Sequence, residues 1–207
     1  MDRIGIMGGT FNPVHMGHLL LAEAAREAFS LDEVWFVPTG YSYMKGARQS
    51  LENMPLPEER LEMTRLAVQD NVCFRCMDIE VRRQGATYTY ETMEELRAAY
   101  PEKEFFFLIG ADCLYTIENW REPERIFRAC ELVAAVRQGA DIADMQRKIA
   151  QLKSRFGARI TLLPFRNLEI SSTEIRKCVR EGRSIRYMTP QPVISYIETK
   201  GFYRETK

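Results

Sequence analysis

His15 and His18 are the only histidines of the chain, and they lie close to its N-terminus with Gly17 between them. They end a glycine-rich segment, Gly8–His18, that follows the apolar run Ile4–Met7 and precedes a run of good helix formers. This pattern predicts a strand, a tight turn and a helix, whose first N–H groups and positive dipole end favour a phosphate. On an opening helical turn both imidazole rings can face one ligand. The segment therefore predicts a nucleotide-phosphate site.

Composition limits the class of protein. The 207 residues are 45% hydrophobic and 28% charged, which is typical of a globular chain with enough length for one buried core. Basic and acidic residues number 29 each, and the absence of net charge argues against general nucleic-acid binding. Without a long apolar stretch or a signal-like start, we expect neither membrane association nor secretion. The five scattered cysteines then indicate free thiols and a cytoplasmic location.

The order of the predicted elements indicates the fold class. After the first strand and helix, apolar runs predict strands over residues 33–38, 72–81, 104–110, 130–136 and 159–164. Capped or amphipathic segments predict helices over residues 57–70, 91–99, 123–128, 141–155, 173–180 and 192–200. This alternation predicts an α/β fold, a doubly wound parallel sheet covered on both faces. No linker interrupts the pattern, so we expect a single domain over residues 1–207, with 165–207 as a small helical C-terminal part.

Ligands of such folds bind beyond the carboxyl ends of the strands. The sequence places the glycine turn, Asp112 and Arg137 directly after three of the apolar strands. Residues 39–57 lack periodicity and contain Lys45, which predicts a loop long enough to be functional. These groups are therefore candidates for one ligand-binding edge.

Other common phosphate and metal motifs are absent. The first turn does not follow Gly-x-Gly-x-x-Gly and no Gly-x-x-x-x-Gly-Lys-Ser/Thr loop occurs, which disfavours a dehydrogenase or a P-loop enzyme. Cys73 and Cys76 have the spacing of half a zinc site. On a strand, residues three apart point to opposite faces, and no second pair follows, so we predict no resident metal site.

The segment Gly8-Gly9-Thr10-Phe11-Asn12-Pro13, followed by His15-Met16-Gly17-His18, resembles the nucleotidyltransferase superfamily related to class I aminoacyl-tRNA synthetases. Its C-terminal counterpart, Ile170-Ser171-Ser172-Thr173-Glu174-Ile175-Arg176, is present too. The order of the intervening segments is that of the bacterial nicotinate mononucleotide adenylyltransferases, with Gly85–Thr89, Gly110–Asp112 and Trp120. The resemblance covers nearly the whole chain and implies a Rossmann-like nucleotidyltransferase fold.

This resemblance implies a reaction in NAD biosynthesis. The phosphate of nicotinate mononucleotide attacks the α-phosphorus of ATP, giving nicotinate adenine dinucleotide and pyrophosphate. That phosphate is already an anionic nucleophile, so catalysis needs positioning and charge neutralisation rather than a strong base. Mg²⁺ is expected with ATP, held mainly by phosphate and water. Three alternatives stay open: nicotinamide mononucleotide as acceptor, another phosphomonoester as acceptor, and a catalytically silent nucleotide-binding module. The sequence also leaves open whether the chain forms a homo-oligomer.

The resemblance further implies roles for individual residues. The expected catalytic residues are His15, His18, Lys45 and Arg176. The expected ATP-binding residues are Gly8, Gly9, Thr10, Phe11, His18, Gly110, Asp112, Ile170, Ser171, Ser172, Thr173 and Arg176. The expected residues for the pyridine mononucleotide are Asn12, Lys45, Thr87, Tyr88, Thr89, Asp112, Trp120 and Arg137.

Some of these positions also have structural interpretations. Either Ser171 or Ser172 can cap a helix, which is compatible with phosphate binding. Asp112 can be a helix cap, and Trp120 can belong to the core instead of stacking on a pyridine ring. The chain departs from many relatives at Met44, where they carry histidine after two prolines, and at Asn12, where aspartate is often found.

Overall fold

The computed structural model describes residues 2–42, 54–136, 141–165 and 168–204. Its strands are β1 (Arg3–Gly9), β2 (Glu33–Pro38), β3 (Tyr41–Ser42), β4 (Phe74–Cys76), β5 (Ala86–Thr87), β6 (Glu104–Gly110), β7 (Glu131–Val136) and β8 (Ile160–Pro164). Its helices are α1 (Met16–Ala28), α2 (Pro57–Val68), α3 (Thr89–Ala99), α4 (Ala111–Thr116), α5 (Pro123–Ala129), α6 (Ile142–Phe156), α7 (Ser172–Arg180) and α8 (Gln191–Lys200). No helix in these ranges is both long and apolar enough to cross a membrane.

Six strands form one sheet in the order β4-β2-β1-β6-β7-β8. The pairs β1–β6, β6–β7 and β7–β8 are parallel, and β3 forms a separate parallel pair with β5. From β1 the chain adds strands on one side and then crosses to add β6, β7 and β8 on the other. The predicted doubly wound α/β fold is confirmed, and β1 and β6 flank the switch point where such sheets bind ligands.

Strand β6 shows why this sequence forms a central parallel strand. Phe105 to Ile109 are consecutive apolar residues, and all five are buried. A strand covered by helices on both faces needs apolar side chains on both sides, which removes the alternation of a half-exposed strand. Its Phe106 and Phe107 lie in register with Glu131 and Leu132 of β7.

Contacts divide the chain into two compact units. The first unit comprises Met1–Gly8, Leu21–Trp35 and Tyr88–Asn167, and contains β6 to β8 and α3 to α6. The second unit comprises Gly9–Leu20, Phe36–Thr87 and Leu168–Lys207, and contains β3 to β5, α2, α7 and α8. The single domain expected over residues 1–207 stays a prediction.

The strand predicted over residues 72–81 is wrong for most of its length. Only Phe74–Cys76 form a strand. The Asn71 side chain accepts a hydrogen bond from the Cys73 N–H at 3.0 Å, and Val72 is 95% exposed. An asparagine that bonds the backbone two residues ahead makes a turn, which delays the start of the strand. The segment Gly85–Thr89 contains the short strand β5 and the first residue of α3.

Gly40 permits a close backbone contact in the second unit. A Cβ at this position would overlap the Glu80 carbonyl oxygen and lie 3.2 Å from Cγ2 of Thr87. The space is therefore too small for any other residue.

We predict that Gly40→Ala lowers the free energy of unfolding by about 1–3 kcal/mol, the usual cost of forcing extra volume into a packed site. The control is Gly110→Ala, because a Cβ there would have no neighbour within 4 Å. Urea unfolding of both variants measures the effect. Equal urea midpoints for the two variants would show that Gly40 is not packed closely against the Glu80 carbonyl.

Candidate active site

Distant side chains fix the turn between β1 and α1. The Arg176 Nη1 donates to the Asn12 carbonyl at 2.7 Å, and the Ser172 Oγ donates to the Pro13 carbonyl at 2.8 Å. The next carbonyl, that of Val14, accepts from the Thr189 Oγ1 at 2.8 Å. Three consecutive carbonyls therefore depend on residues more than 150 positions away. The turn that carries the histidines is built jointly with the C-terminal segment.

His15 and His18 lie face to face. Their ring centroids are 3.7 Å apart, with an angle of 32° between the planes. The His15 backbone N–H donates to the Nδ1 of His18 at 3.2 Å. Because this Nδ1 is an acceptor, the proton of neutral His18 is on Nε2, where it can be donated to a ligand. Phe11 packs edge-on against the His18 ring at 5.1 Å.

Gly17 is required by the position of the His15 ring. A Cβ at residue 17 would lie 3.1 Å from the Nδ1 and 3.2 Å from the Cε1 of His15. Such contacts are tighter than van der Waals packing allows without movement of the ring. The glycine between the histidines therefore serves their stacking.

Burial keeps both histidines neutral. It lowers the pKa of His15 from 6.5 to about 4. Burial, followed by the proximity of His15, lowers the pKa of His18 from 6.5 to about 3. In the described part of the chain the buried Nδ1 of His15 has no hydrogen-bond partner. Unsatisfied buried polar atoms are rare, so this nitrogen marks the turn as a candidate functional site.

Helix α7 begins as one of the two sequence interpretations predicts. Ser171 is its N-cap, and the Ser171 side chain accepts from the Glu174 N–H at 3.1 Å. Ser172 is instead the first helical residue, and its hydroxyl bonds the Pro13 carbonyl in the turn between β1 and α1, which we call the histidine turn. Arg176 is half-buried, and its Nη2 donates to the Thr173 Oγ1 at 3.1 Å. Burial lowers the pKa of Arg176, but its guanidinium stays cationic at neutral pH.

Besides Thr189, two residues of this site escape sequence reasoning. Arg60 of α2 is 5% exposed and donates to the carbonyls of Thr10 at 2.7 Å, Thr39 at 2.5 Å and Gly40 at 3.0 Å. It thus joins the turn after β1 to the segment after β2. Tyr203 is 4% exposed, and its hydroxyl donates to the Asn12 Oδ1 at 2.6 Å.

Only Arg60 leaves a signal in the sequence. It lies on the face of α2 that also carries Pro57, Leu61 and Thr64, all of which are buried. An arginine on the buried face of a helix requires acceptors nearby, because an unpaired buried charge is costly. Nothing in the C-terminal sequence distinguishes Tyr203 from the other tyrosines.

The residues proposed from the sequence fall into three groups. Those in the second unit are Gly9, Thr10, Phe11, Asn12, His15, His18, Thr87, Ile170, Ser171, Ser172, Thr173 and Arg176. Those in the first unit are Gly8, Tyr88, Thr89, Gly110, Asp112 and Trp120. Lys45 and Arg137, like Met44, lie outside the described residues. Of all these residues, five are brought together by direct contacts at the histidine turn, namely Asn12, His15, His18, Ser172 and Arg176.

Two candidates of the first unit, Gly110 and Asp112, lie at the carboxyl end of β6. Gly110 is the last residue of this strand and the N-cap of α4, so Asp112 is in the first helical turn and is not the cap. The ring of Trp120 is half-buried, with its centroid 6.4 Å from that of Phe107. Within the described residues its Nε1 is buried without a partner. Trp120 therefore combines core packing with an unsatisfied donor.

Comparison with known proteins agrees with these features. The model of a family described as cytidylyltransferase-like matches residues 6–178. The chain belongs to this family. It is 43% identical to a probable nicotinate-nucleotide adenylyltransferase of Lachnoclostridium phytofermentans, over 98% of this chain and 100% of the relative. A relative with the same description from Desulfitobacterium hafniense is 42% identical over 98% and 96%. The resemblance predicted from the sequence is confirmed.

Solved structures show the same fold. The nicotinic acid mononucleotide adenylyltransferase of Plasmodium falciparum, complexed with NaAD, matches with a TM-score of 0.77 and 20% identity over 98% of both chains. Its complex with APC matches with a TM-score of 0.75 and 21% identity, again over 98% of both chains. The predicted nucleotidyltransferase architecture is therefore shared with a remote relative.

We predict that Arg60→Lys lowers the free energy of unfolding by about 3 kcal/mol or more, since lysine keeps the charge but cannot reach three carbonyls with a planar fork. Arg65→Lys on the same helix is the control. Arg65 is exposed and its nearest acid is 3.8 Å away, so its replacement should cost less than about 0.5 kcal/mol. Chemical denaturation separates the two. A similar loss in both variants would show that the hydrogen bonds of Arg60 contribute nothing.

We also predict a pH effect on stability that comes from the histidine pair. The folded pKa values lie below the unfolded value of 6.5. Between pH 6.5 and 4 the unfolded chain therefore binds more protons, and stability that is fully present above pH 6.5 is lost as the pH falls. From pH 7 to pH 5 the wild type should lose about 2–4 kcal/mol more than His15→Asn/His18→Asn. Unfolding at both pH values measures this, and equal losses would contradict it.

Proposed function

We propose that the chain transfers the adenylyl group of ATP to nicotinate mononucleotide, with release of pyrophosphate, as a step of NAD biosynthesis. The observation that carries this proposal is the joint fixation of the histidine pair and Arg176 on one turn, through the carbonyl of Asn12 and its neighbours. The relatives at 43% and 42% identity carry the name of this activity.

The chemistry requires few protein groups. A phosphate oxygen of the mononucleotide forms a bond to the α-phosphorus of ATP. The bond from this phosphorus to the bridging oxygen breaks, and its electron pair leaves with pyrophosphate. Because the nucleophile is already an anion, the reaction needs no proton acceptor, and the work of the protein is to orient both substrates and stabilise negative charge.

The histidine pair suits charge stabilisation better than acid–base catalysis. With pKa values of about 4 and 3, His15 and His18 are neutral near pH 7, so each keeps its single ring proton and is poorly suited to proton transfer. The Nε2–H of His18 donates a hydrogen bond to the triphosphate. The guanidinium of Arg176 supplies the positive charge beside the turn.

The remaining roles are proposed from the resemblance. Ile170 and Ser171 border the adenine, and Gly8, Gly9, Thr10, Phe11, Ser172 and Thr173 contact the ATP phosphates. Gly110 and Asp112 bind the ribose. The nicotinate mononucleotide contacts Asn12, Thr87, Tyr88, Thr89 and Trp120, with Lys45 and Arg137 from the segments outside the described residues.

Mg²⁺ is proposed to enter as part of the substrate, as the ATP complex. This ion retains several waters and binds through phosphate oxygens rather than through an all-protein cage. In the described ranges no three His, Cys, Asp or Glu side chains are placed to hold a metal ion. We also propose a cytoplasmic location, because the five cysteines are free thiols.

A pyrophosphate-release assay with ATP and nicotinate mononucleotide tests the function. We predict turnover by the wild type and a loss of about 100-fold or more in kcat/KM for His18→Ala and for Arg176→Ala. Lys177→Ala, an exposed neighbour on α7, should behave as the wild type. Thermal unfolding of each variant checks that it is folded. A comparison of kcat/KM with nicotinamide mononucleotide decides the acceptor.

Two results would contradict the proposal. Retention of activity in His18→Ala would contradict the role given to the histidine pair. Binding of ATP without pyrophosphate release, for either mononucleotide, would show a catalytically silent nucleotide-binding module.

A further inference from the structure

A second anionic site is suggested by a cavity in the C-terminal part of the second unit. The cavity has a volume of about 600 Å³ and lies at the end of α7 and along α8. Among the described residues that line it, four are arginines, namely Arg180, Arg183, Arg186 and Arg204, and only Glu198 is acidic. This excess of positive charge stands out in a chain without net charge.

The arginines are only partly neutralised by the protein. Arg183 donates to the Glu181 carboxylate at 2.7 Å. In the part of the chain that the structure describes, the guanidinium groups of Arg180 and Arg186 make no hydrogen bond or ion pair. Both side chains are exposed. Two guanidiniums at one cavity thus remain available to an external anion, and guanidinium geometry matches phosphate oxygens.

An aromatic side chain adjoins these arginines. A neighbouring recess of about 460 Å³ shares Arg186, Gln191 and Ile194 with the cavity, so the two adjoin each other and are together called the groove. Tyr187 lines the recess and is 89% exposed. A tyrosine so exposed has no role in the core, and its ring offers a face on which a base can stack.

We propose that this groove binds a nucleoside polyphosphate, with the phosphates against Arg180 and Arg186 and the base against Tyr187. The two volumes are in the range of small-molecule sites, which span about 300–1,000 Å³. None of the residues that line the groove belongs to the set proposed above to hold ATP or the mononucleotide. Met16 and Thr189 of the recess adjoin the turn that carries the histidines, whereas the arginine-lined cavity shares no residue with that turn. This inference does not rest on the proposed reaction.

The groove is tested in the full-length His18→Ala variant, where binding at the histidine turn is weakened. Calorimetric titration with ATP and Mg²⁺ should show binding with an affinity that falls as salt is added. Adding Arg180→Gln/Arg186→Gln should weaken this binding by about tenfold or more. Adding Arg65→Gln/Lys177→Gln instead removes the same charge outside the groove and should leave the affinity unchanged.

The nucleoside part of the proposal has its own test. Tyr187→Ala should weaken ATP about tenfold and leave inorganic tripolyphosphate unaffected, whereas Tyr187→Phe should bind ATP as the parent does. Equal ATP affinity in the groove variant and the charge control would overturn the site. An unchanged ATP affinity in Tyr187→Ala would overturn its assignment to a nucleoside. Absence of pyrophosphate release with intact groove binding would contradict only the proposed reaction.

Discussion

The constraint on which the second unit depends is the satisfaction of the backbone carbonyls between β1 and α1. Four of these carbonyls accept hydrogen bonds from side chains instead of from a ladder or a helix. They belong to Thr10, Asn12, Pro13 and Val14, and their donors are Arg60, Arg176, Ser172 and Thr189, respectively. The conformation of this turn is therefore determined by other segments of the chain, because each of the four donors lies outside the turn. The same hydrogen bonds therefore determine how the rings of the two histidines are placed against each other.

This arrangement explains why one functional motif lies at each end of the chain. Arg176 has two tasks, since one nitrogen fixes the Asn12 carbonyl and the cation remains beside the turn. Tyr203 then holds the side chain of the same Asn12. Helix α7 and the residues on either side of α8 therefore hold the turn between β1 and α1, and the hydrogen bonds of Arg176 fix the orientation of its guanidinium. Such preorganisation is what a reaction without a base requires from its protein.

Sequence reasoning succeeded where the cause of structure is local. The bounds of β2 and β6 agree with the prediction, because each is an apolar run closed by a proline or glycine. The histidine motif and the Ser171 cap were also found in the sequence. Arg60, Thr189 and Tyr203 were missed, because their partners are backbone carbonyls and one amide oxygen, which no residue type in the sequence indicates. The neutrality of the histidines was equally hidden, since burial causes it and burial is a tertiary property.

The neutral histidine pair also makes ligand binding a proton-linked event. Its pKa values are low because the rings are buried without a compensating negative charge. An anion bound against these rings would supply that charge and raise both pKa values. Reciprocity then requires the affinity for such an anion to increase as the solution becomes acidic enough to titrate the rings. In that acidic range, binding and release of the anion would be accompanied by uptake and release of hydrogen ions.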